Sequence, residues 1–218
     1  MSSREFDSPV PHMKRVYFVR HGQSTSNAGN SRVGDVPLSD AGKKQAAMIA
    51  DRCSRLQFDL IISSTLRRAQ ETAQIIQEKT GKPLEFSGLL IERKHPLKHQ
   101  DLSEKKYNSL QAELDKNFTT PGYQYHELEN FTDLNMRAEK VLTMLLSRKE
   151  ENIVVVSHGT FLRVIAGHAI FGTDFTAKMC LDLFTGLRTR NTGITIFEYD
   201  EAKSVWLVVT WNDHAHLG

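Results

Sequence analysis

Two histidines occupy the same local context. Arg20-His21-Gly22 follows the apolar run Val16-Tyr17-Phe18-Val19, and Ser157-His158-Gly159 follows Ile153-Val154-Val155-Val156. A third apolar run, Leu60-Ile61-Ile62, leads into Ser63-Ser64-Thr65-Leu66-Arg67-Arg68-Ala69. Imidazole serves as nucleophile, general base or hydrogen-bond donor, and the planar guanidinium fork binds two oxygens of a phosphate at once. Glycine after each histidine permits close backbone approach or a positive φ. Most lone histidines are hydrogen-bonded structural residues, and His126, His168, His214 and His216 are read that way. His21 and His158 differ because each ends a buried strand.

The elements that hold these residues follow from periodicity. Near-continuous apolar runs rich in β-branched residues describe strands buried on both faces, as in a parallel sheet. Helical spacing separates them: Ala46, Ile49, Ala50 and Cys53; then Leu66, Ala69, Ala73 and Ile76, closed by Gly81 and Pro83; then Leu134, Ala138, Val141, Leu142 and Leu145. Residues 196–211 read as two strands across a turn at Asp200-Glu201. Strand and helix alternation predicts an α/β fold of three layers, α/β/α, with a mostly parallel central sheet. In such a sheet the carboxyl ends of the strands share one edge, where ligands bind. The two histidines and one or two arginines then meet there, with the first N–H groups of the following helices aimed at the same anion. Periodicity alone leaves open whether Arg67 or Arg68 points inward.

The segment 93–130 departs from this pattern. It is polar, carries Lys94, His95, Lys98, His99, Lys105 and Lys106, and reads either as a lid over the carboxyl ends or as a solvated helical insertion. Residues 1–12 are polar with two prolines and read as a tag or disordered tail, His12-Met13 being like the scar of a cloning site. Residues 13–218 then form one domain. The chain of 218 residues has a net charge of only +2, which gives no footprint for nucleic acid. No apolar run is long enough to cross a membrane and no secretory signal appears. Cys53 and Cys180 stand far apart without metal or redox spacing, so reduced thiols and a cytoplasmic location are expected. Oligomeric state is not legible, and Phe171, Phe175 and Phe184 fit either core or interface.

Taken together and in order, RHG after the first strand, VPLSDAGKKQA, SSTLRRAQETA and VVVSHGTFLRV resemble the histidine phosphatase superfamily, also called phosphoglycerate-mutase-like. The tail NTGITIFEYD and the final WNDHAHL resemble its small phosphatases. The resemblance implies that His21 attacks phosphorus and carries the phosphoryl group. Its other ring nitrogen should then donate to a fixed acceptor such as a backbone carbonyl. By the same matching, Arg20 and Arg68 bind phosphate oxygens and His158 stabilises the transition state, while Asn27 sits at a further phosphate-contact position. Ser24, Gly159 and Arg93 join the expected substrate contacts. Glu92, after Leu89-Leu90-Ile91 on an expected short strand, is the proton donor and then the base for water. No cofactor or metal is expected, because arginines and histidines neutralise the phosphoryl charge.

Within the family a phosphatase is favoured, acting on a small phosphorylated substrate. The mutase pattern RHG-x-S-x-W-N has tryptophan where Ser26 stands, and ERKHPLKHQDLS lacks the mutase R-x-Y-G segment. A non-catalytic phospho-ligand module is the alternative from another class. It has no need of a nucleophile and an acid together.

Overall fold

A computed structural model describes residues 13–28, 34–93, 103–120 and 128–218. Six strands form one sheet: β1 (Met13–Arg20), β2 (Leu60–Ser64), β3 (Leu84–Ser87), β4 (Asn152–Ser157), β5 (Ile194–Asp200) and β6 (Val205–Asp213), in the order β3-β2-β4-β1-β5-β6. The four strands β3, β2, β4 and β1 run parallel, and the hairpin β5–β6 closes the sheet antiparallel beside β1. The helices are α1 (Thr25–Ala28), α2 (Asp40–Cys53), α3 (Arg67–Thr80), α4 (Glu104–Asn117), α5 (Phe131–Leu146), α6 (Gly159–Phe171) and α7 (Ala177–Gly186). The expected α/β architecture with a mostly parallel sheet is therefore present.

Strand alternation sends side chains to two cores. Val16, Phe18, Ile153 and Val155 pack beneath α5, α6 and α7, against residues such as Leu134, Val141, Phe161 and Cys180. On the other face Tyr17, Val19, Ile61 and Val154 meet α2 and α3 through Ile49, Cys53, Ala69, Ala73 and Ile76. The stripes expected on α2 and α5 are buried as spaced. Both cysteines are free and buried, and desolvation pushes each thiol up to about 12, so neither is a ready nucleophile. Phe175 is core, ringed by Phe131 and Phe171, while Phe171 is exposed at its edge.

One expectation is corrected. Leu89-Leu90-Ile91 is not a strand: the strand is Leu84–Ser87, and Gly88–Leu90 turns once as a short helix, so Glu92 follows in extended coil. Ser87 makes the switch by accepting from the Leu89 amide. The insertion is helical where described, with α4 ending at buried Phe118, whose ring packs on Phe131 and Phe184. Lys94, His95, Lys98, His99, His126 and residues 1–12 lie outside the described residues.

The register places the chemistry. Arg20 of β1 lies opposite Ser157 of β4, and Ser63 of β2 lies opposite Val156, so three strand ends finish side by side. Helix α2 then abuts the loop after β1. A Cβ on Gly42 would lie 1.9 Å from the Gln23 carbonyl oxygen, and one on Gly22 would lie 2.6 Å from the Gly42 oxygen. Ser39 caps α2 by accepting from the Gly42 amide, 3.1 Å. Gly42→Ala should therefore overpack backbone against backbone and cost about 1–3 kcal/mol in urea unfolding. Gly88→Ala, with nothing within 4 Å of its Cβ, should stay within about 0.5 kcal/mol of wild type. Equal costs for the two would show that the Gly42 contact is not limiting.

Candidate active site

His21 is fixed from every side before its ring is considered. Its amide donates to Ser157 O (3.0 Å) and its carbonyl accepts from Asn191 Nδ2 (2.9 Å). The Thr192 amide holds the Arg20 carbonyl at 2.8 Å. The Gly22 amide donates to Thr72 Oγ1 (3.1 Å), which in turn donates to Arg68 O (2.7 Å). Gly22 is thus turned so that its carbonyl oxygen meets His21 Nδ1 at 2.6 Å. A carbonyl can only accept, so Nδ1 carries the proton. Nε2 faces Arg68 Nε, which donates to it across 3.2 Å, so Nε2 holds a lone pair. Burial first, then the charges of Arg68 and Arg20, hold the imidazole well below its ordinary pKa.

His158 lies 4.9 Å away, ring centre to ring centre. Its Nε2 meets Ser64 Oγ at 2.8 Å, which joins the end of β2 to the end of β4. Its Nδ1 is buried without a hydrogen-bond partner among the described residues. Where the Ser64 hydroxyl donates to Nε2, Nδ1 carries an N–H; the other tautomer makes Nδ1 an acceptor. Burial, then His21, Arg68, Arg20 and Arg137, lower this pKa also. Arg20 donates through Nη1 to Thr189 O (2.6 Å), leaving a buried Nε with no partner among the described residues. Gly159 lets that guanidinium in, because a Cβ there would stand 3.1 Å from Arg20 Nε and 2.7 Å from Thr189 Oγ1. Arg20 Nε and His158 Nδ1, buried without partners among the described residues, together with the His21 imidazole nitrogen that Arg68 Nε meets, form a cradle suited to a tetrahedral anion.

Between the neighbouring arginines the choice is resolved. Arg68 reaches His21, whereas Arg67 is surface, paired with Glu71 at 2.9 Å one helical turn on. Glu92 stands by, but differently from expectation. Its Oε2 accepts from the Thr160 amide (3.1 Å), and its Oε1 from the amides of Phe161 (3.0 Å) and Arg93 (2.9 Å). The Thr160 and Phe161 amides in the first turn of α6 are thus taken by this carboxylate, and Asp35 takes the Arg67 amide at the start of α3. Helix N-termini attract anions, and here the anions are the protein's own.

The other expected contacts, Ser24, Asn27 and Arg93, have partners of their own. Ser24 is buried, with its amide donating to Asn27 Oδ1 (3.3 Å) and its hydroxyl 3.1 Å from Ser26 Oγ. Those bonds fold the α1 turn, and none among the described residues ties Ser24 or Asn27 to the His21 cluster. The Arg93 guanidinium lies over the Phe118 ring, 4.2 Å from its centroid. Sequence reasoning missed Ser64, Thr72, Thr189, Asn191, Arg137 and Arg163. Arg163, one turn along α6 from Gly159, donates to Leu187 O (2.5 Å), and its charge interacts with Glu92. It sits within VVVSHGTFLRV, so helical spacing from Gly159 was its available signal. His168, His214 and His216 make hydrogen bonds to Asn135, Asn212 and Thr192.

Among the described residues no group of three or more His, Cys, Asp or Glu could hold a metal, and no helix is long and apolar enough to cross a membrane. The two buried imidazoles carry a pH signature. Their folded pKa values lie below the ordinary 6.5, so the unfolded chain binds more protons just under that pH. Stability is complete above about pH 6.5 and falls as pH drops toward the folded values, by at most about 1.4 kcal/mol per pH unit for each histidine. Urea midpoints between pH 7 and 5 should record the fall, and His21→Gln should flatten it. An unchanged slope in that variant would remove His21 as a source.

Comparison with known proteins agrees with this geometry. The family model "Histidine phosphatase superfamily (branch 1)" matches residues 16–214. Phosphoglycerate mutase-like protein 4 of Arabidopsis thaliana is 29% identical over 224 residues, covering 100% of this chain and 93% of that protein. A probable phosphoglycerate mutase GpmB of Salmonella arizonae is 31% identical over 217 residues, covering 94% and 95%. Among solved structures, a mycobacterial glucosyl-3-phosphoglycerate phosphatase with VO3 aligns at a TM-score of 0.73 and 24% identity, over 92% of this chain and 100% of that one. Phosphoserine phosphatase of Entamoeba histolytica with 3-phosphoglyceric acid aligns at 0.72 and 22%, over 94% and 99%. At those identities the structures speak for the fold alone. With the strand-end histidines, the sheet order and a match across residues 16–214, the chain belongs to the histidine phosphatase superfamily, branch 1.

Proposed function

We propose that this protein hydrolyses small phosphomonoesters, without a metal, through a covalent phosphohistidine on His21. The observation that carries the reading is the 2.6 Å contact of His21 Nδ1 with the Gly22 carbonyl. It leaves Nε2 unprotonated between cations, which is what an imidazole nucleophile needs. Nε2 attacks phosphorus, the bond to the ester oxygen breaks, and that oxygen takes a proton from Glu92, an anion in the free site that first gains this proton with the bound substrate. Arg68 moves from Nε2 to a phosphoryl oxygen, where Arg20 Nε and His158 Nδ1 also donate. Water then attacks the phosphohistidine and gives its proton to Glu92, and phosphate leaves with His21 restored. Arg20, Arg68 and Arg163 around Glu92 leave a cationic surplus that suits a phosphate dianion. In this reading Arg93, next to Glu92 in the chain, meets the body of the substrate.

A second reading has one observation behind it: relatives 30–31% identical are named probable phosphoglycerate mutases. A mutase must hold its substrate through a second transfer. Ser26 in place of the mutase tryptophan and the missing R-x-Y-G segment favour hydrolysis.

Hydrolysis of p-nitrophenyl phosphate in excess chelator should proceed with wild type. His21→Ala should abolish it without loss of fold, and acid-labile phosphohistidine should be trapped in wild type only. Retained turnover in His21→Ala would end the proposal. Turnover of phosphoglycerate by isomerisation, with negligible phosphate release, would install the mutase instead. His158→Ala should lower kcat by roughly 10²–10³, the cost of one transition-state donor, with KM changing far less. A change confined to KM would make His158 a ground-state binder.

A further inference from the structure

Arg137 of α5 touches neither histidine by hydrogen bond, yet it is only 10% exposed. Its Nη1 donates to the carbonyls of Leu89 (2.8 Å) and Ile91 (2.7 Å). Between them, the Leu90 carbonyl accepts from Ser157 Oγ at 2.8 Å. Three consecutive carbonyls immediately before Glu92 are therefore pinned, the middle one by the residue next to His158. The other edge of the guanidinium is spent on Glu129, Nε to Oε1 at 2.6 Å and Nη2 to Oε2 at 2.8 Å. Its flat face lies 3.7 Å from the centroid of the Phe161 ring. Phe161 in turn gives its amide to Glu92 Oε1. The contacts close a ring, from Glu129 through Arg137 to the 89–91 carbonyls, Glu92, Phe161 and back to Arg137.

We infer that Arg137, oriented by Glu129, is a positioning residue that holds Glu92 at its proton-transfer site. This rests on the acid role proposed above for Glu92. A turn of Gly88–Leu90 followed by coil has no ladder of its own to fix the backbone that carries Glu92. Arg137 holds that backbone through its carbonyls, while the amides of Thr160, Phe161 and Arg93 hold the carboxylate itself. Only a planar fork reaches two carbonyls and a bidentate carboxylate together, so lysine does not replace it. Glu129 stands at the end of the 93–130 segment, one residue before the Asn130–Asp133 capping box that starts α5. The insertion and the acid are thereby mechanically joined.

The test compares leaving groups, using phenyl phosphate and p-nitrophenyl phosphate on the full chain. Proton donation matters for phenol and little for p-nitrophenol. Glu92→Gln sets the reference, with a loss on phenyl phosphate at least about tenfold greater than on p-nitrophenyl phosphate. Arg137→Lys should show the same bias, and in the double variant with Glu92→Gln should add little further. Glu129→Gln should show it more weakly, and it decides alone if circular dichroism shows Arg137→Lys to be unfolded. Selective loss in Glu92→Gln but uniform loss in both ring variants would overturn the positioning role alone. Uniform loss in Glu92→Gln would overturn the acid assignment and the inference with it.

Discussion

The neutral, singly protonated His21 ring is the constraint on which the site depends. An imidazole with a proton on both nitrogens could not attack phosphorus, and one with the proton on Nε2 would present the wrong atom. Three independent effects exclude those states: burial, two nearby guanidinium groups, and a backbone carbonyl that accepts only from Nδ1. The carbonyl is aimed because Thr72 holds the Gly22 amide, and Thr72 belongs to the same helix turn as Arg68. One turn of α3 thus sets both the tautomer and the cation beside it. The sheet contributes position, since Arg20, Ser64 and Ser157 end adjacent parallel strands.

A second anion site shapes the other half of the pocket. The amide cluster opening α6 would bind phosphate if left bare, and it is occupied by Glu92 instead. In the proposed reaction substrate charge is met by side-chain donors on His158, Arg20 and Arg68, which can follow the phosphoryl group as it moves. Backbone amides fixed in a helix could not. The same capping bonds place the carboxylate beside α6 and within reach of three arginine charges.

Much of this was legible in the sequence because it depends on periodicity. The β1, β2 and β4 runs are apolar throughout since both faces are covered, and the stripes on α2 and α5 match what is buried. Strand β3 was not legible: its four residues alternate only partly and face an open edge, so no apolar signal marks it. Arg67 and Arg68 are indistinguishable by spacing, and the contact with His21 separates them. Arg137 and Glu129 escaped for a different reason. The partners that give Arg137 its place are carbonyl oxygens 46 and 48 residues earlier, and backbone acceptors leave no mark in side-chain type. The capping of α6 by Glu92 was not legible either, because the carboxylate that accepts from the Thr160 and Phe161 amides lies 68 and 69 residues earlier in the chain.

The position of β1 has a consequence for how the molecule comes to exist. This strand is synthesised before the other five, yet it lies inside the sheet between β4 and β5, whose first residues are Asn152 and Ile194. Its apolar segment must wait through most of translation before either neighbour is available, and pairings of such long sequence separation are slow to form. The hairpin β5–β6 and the loop carrying Asn191 and Thr192 complete both the sheet and the bonds that fix His21. A nascent chain halted before that loop would carry all of β1 and still lack the bonds from Asn191 and Thr192 that hold the Arg20 and His21 carbonyls. During that interval β1 is an unpaired apolar strand, the kind of segment that aggregates or recruits a chaperone.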